Sequence, residues 1–187
     1  VAVAQDAAFS FIYPANIECL SQLGAEVVYF SPLVDACLPP CDAVWLPGGY
    51  PELHAEQLAA NAPLRASLQH HVAAGKPVWA ECGGMVALAQ SITQGNGVCQ
   101  PLWALLPGVA TLQKRLAGLG PQQLVWRGHT LRGHTFHYST LACSTASDLG
   151  AAGGAVAPSH SSNSVDSVNS VDSVDSVDSV FSGGLTE

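Results

Sequence analysis

One cysteine, Cys82, stands where its thiol could act as a nucleophile. It follows the apolar run Pro77–Ala80 and precedes Gly83 and Gly84, which open a stretch of small and apolar residues typical of a helix. A strand, a sharp turn and a helix in this order form a nucleophile elbow, which presents one side chain at the carboxyl end of a sheet. The alternative interpretation is a structural thiol, because free cysteine most often packs as a small hydrophobe.

Attack by Cys82 requires its thiolate form. The partial positive charge at a helix N-terminus stabilises a thiolate by about 0.3 to 1 kcal/mol, which is at most about a fivefold gain in its population. An ordinary cysteine is only about a few per cent ionised at neutral pH, so this gain alone is too small. We therefore expect a histidine or another cation to complete the activation.

A second candidate element is the segment Leu46–Glu52, which reads LPGGYPE and follows the apolar run Ala43–Leu46. Its Gly-Gly turn offers free backbone N–H groups. Together with the N–H of the residue after Cys82, they could form a two-donor oxyanion hole. The alternative is an ordinary loop between a strand and a helix, with Pro51 in the first helical turn.

The histidines are the candidate bases. His134 and His137 lie in the strand-like run RGHTFHYS and are predicted on opposite faces, because their separation is odd. Only one of them can face a given site, and a structural or surface role is the usual one for a lone histidine. The adjacent His70 and His71 lie in a polar helical stretch and are predicted to be solvated. No context distinguishes the other three: His54, His129 and His160.

These residues are carried by an alternation of strands and helices, which predicts an α/β fold with a mostly parallel sheet flanked by helices. The predicted strands are near-continuous apolar runs: Val1–Gln5, Ala25–Ser31, Ala43–Leu46 and Pro77–Ala80. The predicted helices are Pro14–Leu23, with Ile17, Leu20 and Leu23 on one side, then Glu52–Asn61 and Pro63–Ala74. After Ile92 the pattern predicts additional short strands, among them Gln123–Trp126 and Thr130–Ser139.

Composition changes along the chain of 187 residues. Residues 1–141 hold eight acidic side chains and all six basic ones, whereas residues 142–187 hold six acids and no base. Residues 163–180 repeat a Ser-Val-Asp or Ser-Val-Asn unit, and a period of three fits neither a strand nor a helix. We predict one domain over residues 1–141 and a disordered tail over 142–187.

Several classes of function are disfavoured. No basic stripe is present for nucleic acid, no apolar run is long enough to span a membrane, and the six cysteines lack metal-ligand spacing. Reduced thiols in a cytoplasmic protein are the simplest interpretation. Because the chain opens on Val1 in the middle of an apolar run, we expect a piece of a longer polypeptide.

Six motifs occur together in one order along residues 1–141: DAAFSFIYPANIECL, VVYFSPL, LPGGYPELH, KPVWAECGGM, LLPG and RGHTFHYS. This set resembles the glutamine amidotransferase domains of cobyrinate a,c-diamide synthases. RGHTFHYS favours these synthases, with their relatives that act on nickel sirohydrochlorin, over the related cobyric acid enzymes.

The resemblance implies a class I, triad-type glutaminase fold. Glutamine would be hydrolysed through a cysteinyl thioester on Cys82. Gly49 and Gly83 stand where that fold usually supplies its oxyanion-hole amides. The ammonia would serve an ATP- and Mg²⁺-dependent synthetase domain that amidates the a and c carboxylates of a corrinoid. This chain contains no G-x-x-x-x-G-K-[ST] phosphate loop, so we expect no cofactor or metal within it.

The base for Cys82 is left with two alternatives. GHTFHYS is similar to the G-x-Q-F-H-P-E signature of other triad amidotransferases, which would make His137 the base and put Ser139 in the place of their glutamate. In cobyrinate synthases a later motif resembling S-Y-x-H-L-H-F is the better counterpart, and the Ser-Val-Asp repeat stands in that region here. Either His137 serves, or the base is absent from this chain. The chain is then either a fragmentary or C-terminally altered glutaminase part, or a non-catalytic remnant that keeps the fold. A different cysteine enzyme on a similar sheet is a third possibility.

Overall fold

The computed structural model describes residues 1–126, 129–143 and 180–181. Four helices and eleven strands occur in this part of the chain. The helices are α1 (Pro14–Gln22), α2 (Ala55–Ala60), α3 (Ala62–Ala73) and α4 (Gly83–Leu88). The strands are β1 (Ala2–Ala4), β2 (Val28–Phe30), β3 (Val44–Leu46), β4 (Val78–Ala80), β5 (Ser91–Thr93), β6 (Cys99–Pro101), β7 (Gly108–Leu112), β8 (Gly118–Trp126), β9 (His129–His137), β10 (Ser139–Cys143) and β11 (Val180–Phe181).

The main sheet has the strand order β11-β4-β3-β1-β2. Strands β1 to β4 pair in parallel, and β11 adds to β4 in the antiparallel direction. All three residues of β1 and of β3 are buried, as expected for parallel strands covered on both faces. The predicted α/β class, with a parallel sheet flanked by helices, is confirmed.

A second sheet has the order β10-β7-β5-β6, and β8 and β9 form a separate antiparallel pair. These strands confirm the change to short β elements predicted after residue 92. Ala142 and Cys143, assigned to the tail, lie in β10 and pair with β7. Apart from the two residues of β11, the rest of the predicted disordered tail lies outside the described residues.

The core lies between the main sheet and its helices. Trp103 is 1% exposed and stacks on Phe9 with ring centroids 6.0 Å apart. Its indole Nε1 donates a hydrogen bond to the carbonyl of Leu58 in α2 at 3.1 Å. A large apolar side chain therefore connects the segment after β1 with α2, and its one polar atom is satisfied.

Two details of the helical predictions were wrong. Leu23, placed on the apolar side of the first helix, is 80% exposed just beyond the end of α1. The second helix begins at Ala55 instead of Glu52, because Pro51–Leu53 form a separate 3-10 turn.

The prediction for His71 was also wrong: a solvated side chain was expected, but the residue is only 7% exposed. Its Nε2 lies 3.2 Å from the carbonyl oxygen of Pro77, and its Nδ1 lies 3.9 Å from the sulfur of Cys41. A carbonyl can only accept, so Nε2 carries the proton and Nδ1 accepts from the thiol. The imidazole is therefore held neutral between β4 and the segment before β3, and burial lowers its pKa from the ordinary value of 6.5.

We expect acidification to weaken the fold through His71. As the pH falls below 6.5, the unfolded chain binds a proton before the folded one does, so the free energy of unfolding decreases until the pH passes the lowered folded-state pKa. Above 6.5 both states are neutral and the contribution is constant. Urea unfolding at about pH 7.5 and about pH 5.5 should show that His71→Gln loses less free energy of unfolding on acidification than the wild type does. His70→Gln, at the exposed neighbouring position, is the control, and an equal loss in all three proteins would contradict this role.

Candidate active site

The site forms where the carboxyl ends of β3 and β4 meet. Leu46 pairs with Ala80 at the ends of these strands, so the chain segments that follow leave the sheet side by side. The amide of Glu81 donates to the carbonyl of Leu46 at 3.0 Å, and the amide of Gly84 donates to that of Glu81 at 2.8 Å. The LPGGYPE loop and the turn around Cys82 are therefore fixed against each other.

Cys82 adopts the backbone conformation of a nucleophile elbow. Its φ is 48° and its ψ is −114°, a left-handed conformation that a residue with a side chain rarely adopts. The carbonyl of Cys82 accepts the bond from Val86 that opens α4. The predicted strand, turn and helix are thus present, and the strained residue is the proposed nucleophile, as is usual at functional sites.

Gly49 and Gly83 lie beside the Cys82 sulfur. The N–H groups of both residues donate to it, and both bonds lower the pKa of the thiol. The two glycines pack closely, since a Cβ on Gly83 would lie 2.6 Å from the carbonyl oxygen of Gly49. The structure therefore brings together Cys82 and the two amides predicted from the sequence, while their use as an oxyanion hole stays a prediction.

Two carboxylates near Cys82 were not anticipated. Glu52 follows the Gly-Gly turn and Glu81 directly precedes the cysteine, and burial raises the pKa of each. Trp79 Nε1 donates a hydrogen bond to Glu81 Oε1, which fixes that carboxylate. Glu52 belongs to the sequence YPE and Glu81 to the sequence AEC, so both lie within the motifs already identified. Their effect on the Cys82 thiol depends on how the two loops pack.

The pKa of Cys82 is raised above its ordinary value of 9.0, contrary to the gain in thiolate expected from the helix N-terminus. Burial is the largest cause, and the negative charges of Glu52 and Glu81 act in the same direction. The donors at Gly83 and Gly49 oppose these effects and are outweighed. The net effect of these groups is a thiol that is harder to ionise than an ordinary cysteine.

His137 lies at the end of β9, in the hairpin with β8. Its Nδ1 lies 2.7 Å from the carbonyl oxygen of Ser139, and its Nε2 lies over Gly118. His134 is exposed and His137 half-buried, so the predicted alternation of the two histidines along the strand is confirmed. The main sheet carries Cys82, whereas β8 and β9 form their own sheet, and His137 as base stays a prediction.

The loop after β1 borders the site at Gly48 and Gly49. Asp6 orders it: Oδ1 accepts from the amides of Ala8 and Phe9 at 2.8 and 3.3 Å. Oδ2 accepts from Ser31 Oγ and the amide of Leu33, both at 2.9 Å. Farther along, the amide of Phe11 donates to the carbonyl of Gly48 at 3.0 Å. This loop is therefore attached both to the end of β2 and to the Gly-Gly turn.

Comparison with known proteins decides between the classes of cysteine site. The model of the CobB/CobQ-like glutamine amidotransferase domain matches residues 1–169. This chain belongs to that family. The resemblance seen in the six sequence motifs is thus confirmed, and Cys82, Gly49 and Gly83 all lie inside the matched residues.

The chain is similar to curated a,c-diamide synthases of this family. It is 50% identical over 143 residues to the hydrogenobyrinate a,c-diamide synthase of Pseudomonas aeruginosa, covering 76% of this chain and 33% of that protein. It is 46% identical over 142 residues to the cobyrinate a,c-diamide synthase of Herminiimonas arsenicoxydans, covering 75% of this chain and 32% of that protein. The amidotransferase chain therefore spans about a third of the length of these relatives.

The described residues of this amidotransferase domain contain no group of three or more His, Cys, Asp or Glu side chains that could hold a metal ion. None of its described helices is both long and apolar enough to cross a membrane.

Proposed function

We propose that this chain is the glutaminase part of a cobyrinate-type a,c-diamide synthase. The observation that carries the proposal is the convergence of Cys82, at its left-handed φ of 48°, with the N–H groups of Gly49 and Gly83. A thiol facing two backbone donors is suited to attack on a carboxamide carbon. The relatives, a hydrogenobyrinate and a cobyrinate a,c-diamide synthase, suggest the reaction class.

In the proposed reaction the Cys82 thiolate attacks the side-chain amide carbon of glutamine and forms a C–S bond. The carbonyl oxygen becomes an oxyanion beside the two amides, for which removal of one donor typically costs about a hundredfold to a thousandfold in rate. The C–N bond then breaks, the nitrogen takes a proton, and ammonia leaves a thioester. Water hydrolyses the thioester to glutamate and regenerates the thiol.

The proton of Cys82 must go to a base for this sequence to begin. Two amides and two carboxylates are among the described groups that act on the thiol, and these carboxylates raise its pKa. His137 is the base that we propose within this chain. Hydrolysis by the chain alone should be slow unless His137 or a residue outside the described ones reaches the thiol.

The ammonia would pass to a synthetase partner that amidates the a and c carboxylates of a corrinoid. We assign ATP and Mg²⁺ to that partner. The described residues offer no metal-ligating cluster, and the sequence has no G-x-x-x-x-G-K-[ST] phosphate loop. A cytoplasmic location, expected from the reduced cysteines, belongs to the same proposal.

Labelling with a glutamine analogue tests the nucleophile. A chloromethyl ketone in place of the carboxamide should alkylate Cys82, since the thiolate displaces chloride, and peptide mass mapping locates the adduct. Excess glutamine should protect the thiol, whereas asparagine should not, and Cys82→Ser should remain unlabelled in this peptide. Selective labelling of another cysteine, such as the exposed Cys99, would reject Cys82 as the nucleophile.

A second candidate function is a non-catalytic domain that keeps the fold. The raised pKa of Cys82 favours it, because a neutral thiol is a poor nucleophile. Ammonia release from glutamine, measured with and without an added ATP-binding synthetase domain, separates the two. No release in either case would favour the non-catalytic function even if the analogue labels Cys82.

A further inference from the structure

Two exposed aromatic side chains stand beside the nucleophile. Phe11 is 41% exposed and Tyr50 is 50% exposed, yet their rings meet edge to face with centroids 5.2 Å apart and planes at 84°. Phe11 comes from the loop after β1, and Tyr50 follows the Gly-Gly turn. Two loops from different strands thus contribute to one aromatic surface.

Phe11 and Cys82 border the same small space above Gly48. A Cβ placed on Gly48 would lie 3.0 Å from Cδ2 of Phe11 and 3.4 Å from Cβ of Cys82. Even a single methyl group at position 48 would be in close contact with both, so the Phe11 ring and the Cys82 side chain lie close to each other on either side of Gly48. A group bonded to the Cys82 side chain therefore lies near the Phe11 ring.

The position of the Phe11 ring is fixed by its backbone. Phe11 and Gly48 form an antiparallel bridge, with the amide of Phe11 donating to the carbonyl of Gly48 at 3.0 Å. Asp6 accepts two hydrogen bonds from the amides of Ala8 and Phe9, just before Phe11, and two from Ser31 and Leu33 after β2. An exposed ring on such an anchored segment provides a preformed apolar surface.

We propose that Phe11 and Tyr50 form the wall against which the two side-chain methylene groups of glutamine lie, and that this wall sets the chain length the site accepts. The inference rests on the proposed glutaminase function. When the amide carbon of glutamine is bonded to Cys82, the methylene groups must lie within a few bonds of the sulfur, where the ring pair is the apolar surface. Apolar contact there favours a chain with two methylenes over one with a single methylene.

Exposed aromatic residues can also form a docking surface for another protein. The position of Phe11 favours the substrate, because its ring and the Cys82 side chain both lie against Gly48, where a group bonded to Cys82 would lie beside the ring. A wall for substrate and a docking surface make different predictions about reagents that differ only in chain length.

The test compares three alkylating reagents at Cys82: chloromethyl ketones shaped like glutamine and like asparagine, and iodoacetamide, which has no such chain. The wild type should prefer the glutamine-shaped reagent over the asparagine-shaped one. Phe11→Ala should lower that ratio about tenfold, equivalent to about 1.4 kcal/mol. The rate at which iodoacetamide alkylates Cys82 in this variant should stay within about twofold of the wild-type rate. The selectivity ratio of Phe11→Leu should lie between those of the wild type and Phe11→Ala.

Tyr29→Ala removes a similarly exposed aromatic ring, 48% exposed in β2 at the sheet edge, and should keep the wild-type ratio. An unchanged ratio in Phe11→Ala and Phe11→Leu would overturn the wall and favour a docking surface. If the iodoacetamide rate of Phe11→Ala changes as well, its fold is disturbed and Phe11→Leu decides. A wild type that reacts with iodoacetamide but not with the glutamine-shaped reagent would overturn the proposed function, and the wall with it.

Discussion

Alkylation of Cys82 by iodoacetamide is expected to accelerate more than a hundredfold between pH 7 and its high-pH plateau. Only the thiolate reacts, and a thiol with a pKa of 9.0 is about 1% ionised at pH 7. Burial and the two nearby carboxylates raise the pKa of Cys82 above 9.0, so its ionised fraction at pH 7 is smaller still. The rate is measured by peptide mass mapping over a pH series, with a small free thiol such as N-acetylcysteine as reference.

Two matched substitutions show which charges set this profile. Glu52→Gln removes a carboxylate that raises the pKa of Cys82 and should move the midpoint to lower pH. Glu56→Gln removes the same charge from an exposed position in α2 and should leave the midpoint in place. A wild-type midpoint below about pH 8 would contradict the prediction and indicate a cation at the thiol. If His137→Gln then raised that midpoint, His137 would be the missing group.

Gly84→Ala is expected to lower the free energy of unfolding by about 3 kcal/mol or more. A Cβ at this position would lie 2.0 Å from the carbonyl oxygen of Leu46 and 2.9 Å from the Leu46 side chain. These atoms belong to the last residue of β3, which is fully buried, so they cannot move aside without disturbing the main sheet. Urea unfolding of the purified protein measures the loss.

Gly95→Ala is the control for this substitution. A Cβ on Gly95 would meet no atom within 4 Å, so the change should stay within about 0.5 kcal/mol of the wild type. Equal stability of the Gly84→Ala and Gly95→Ala variants would mean that α4 is not held against β3 as the structure describes.

The sequence predicted the framework of this site because local patterns determine it. Apolar runs identified the strands, and Gly83 and Gly84 after such a run identified the elbow. Since the carboxyl ends of neighbouring parallel strands lie at one edge of a sheet, the turn at Gly49 could be placed beside Cys82 before the fold was known.

The electrostatics of the site could not be predicted in the same way. The charge of a helix end can be inferred from Gly83 onward, but desolvation of Cys82 depends on packing from several elements. The net effect on its pKa therefore had the opposite sign to the one expected from the helix alone. The effect of Glu52 likewise requires the approach of two loops that are distant in sequence.

His71 shows the same limit in the core. Within its helix it stands in a polar stretch next to the exposed His70, and nothing in that stretch distinguishes the two. Its burial depends on Cys41, which lies 30 positions earlier in the chain, and on the carbonyl of Pro77. The sequence pattern of one helix cannot predict contacts with residues from other elements.

At Cys82 the side chain that could react also destabilises the fold, because the backbone there is left-handed. With a φ of 48°, the chain at residue 82 has a conformation that glycine adopts readily and cysteine adopts at a cost of about 1 to 3 kcal/mol. Cys82→Gly, which replaces the whole side chain by a hydrogen atom, would therefore relax the turn while removing the group that could react. For an engineer who wants this domain only as a rigid binding scaffold, position 82 is the natural place to begin.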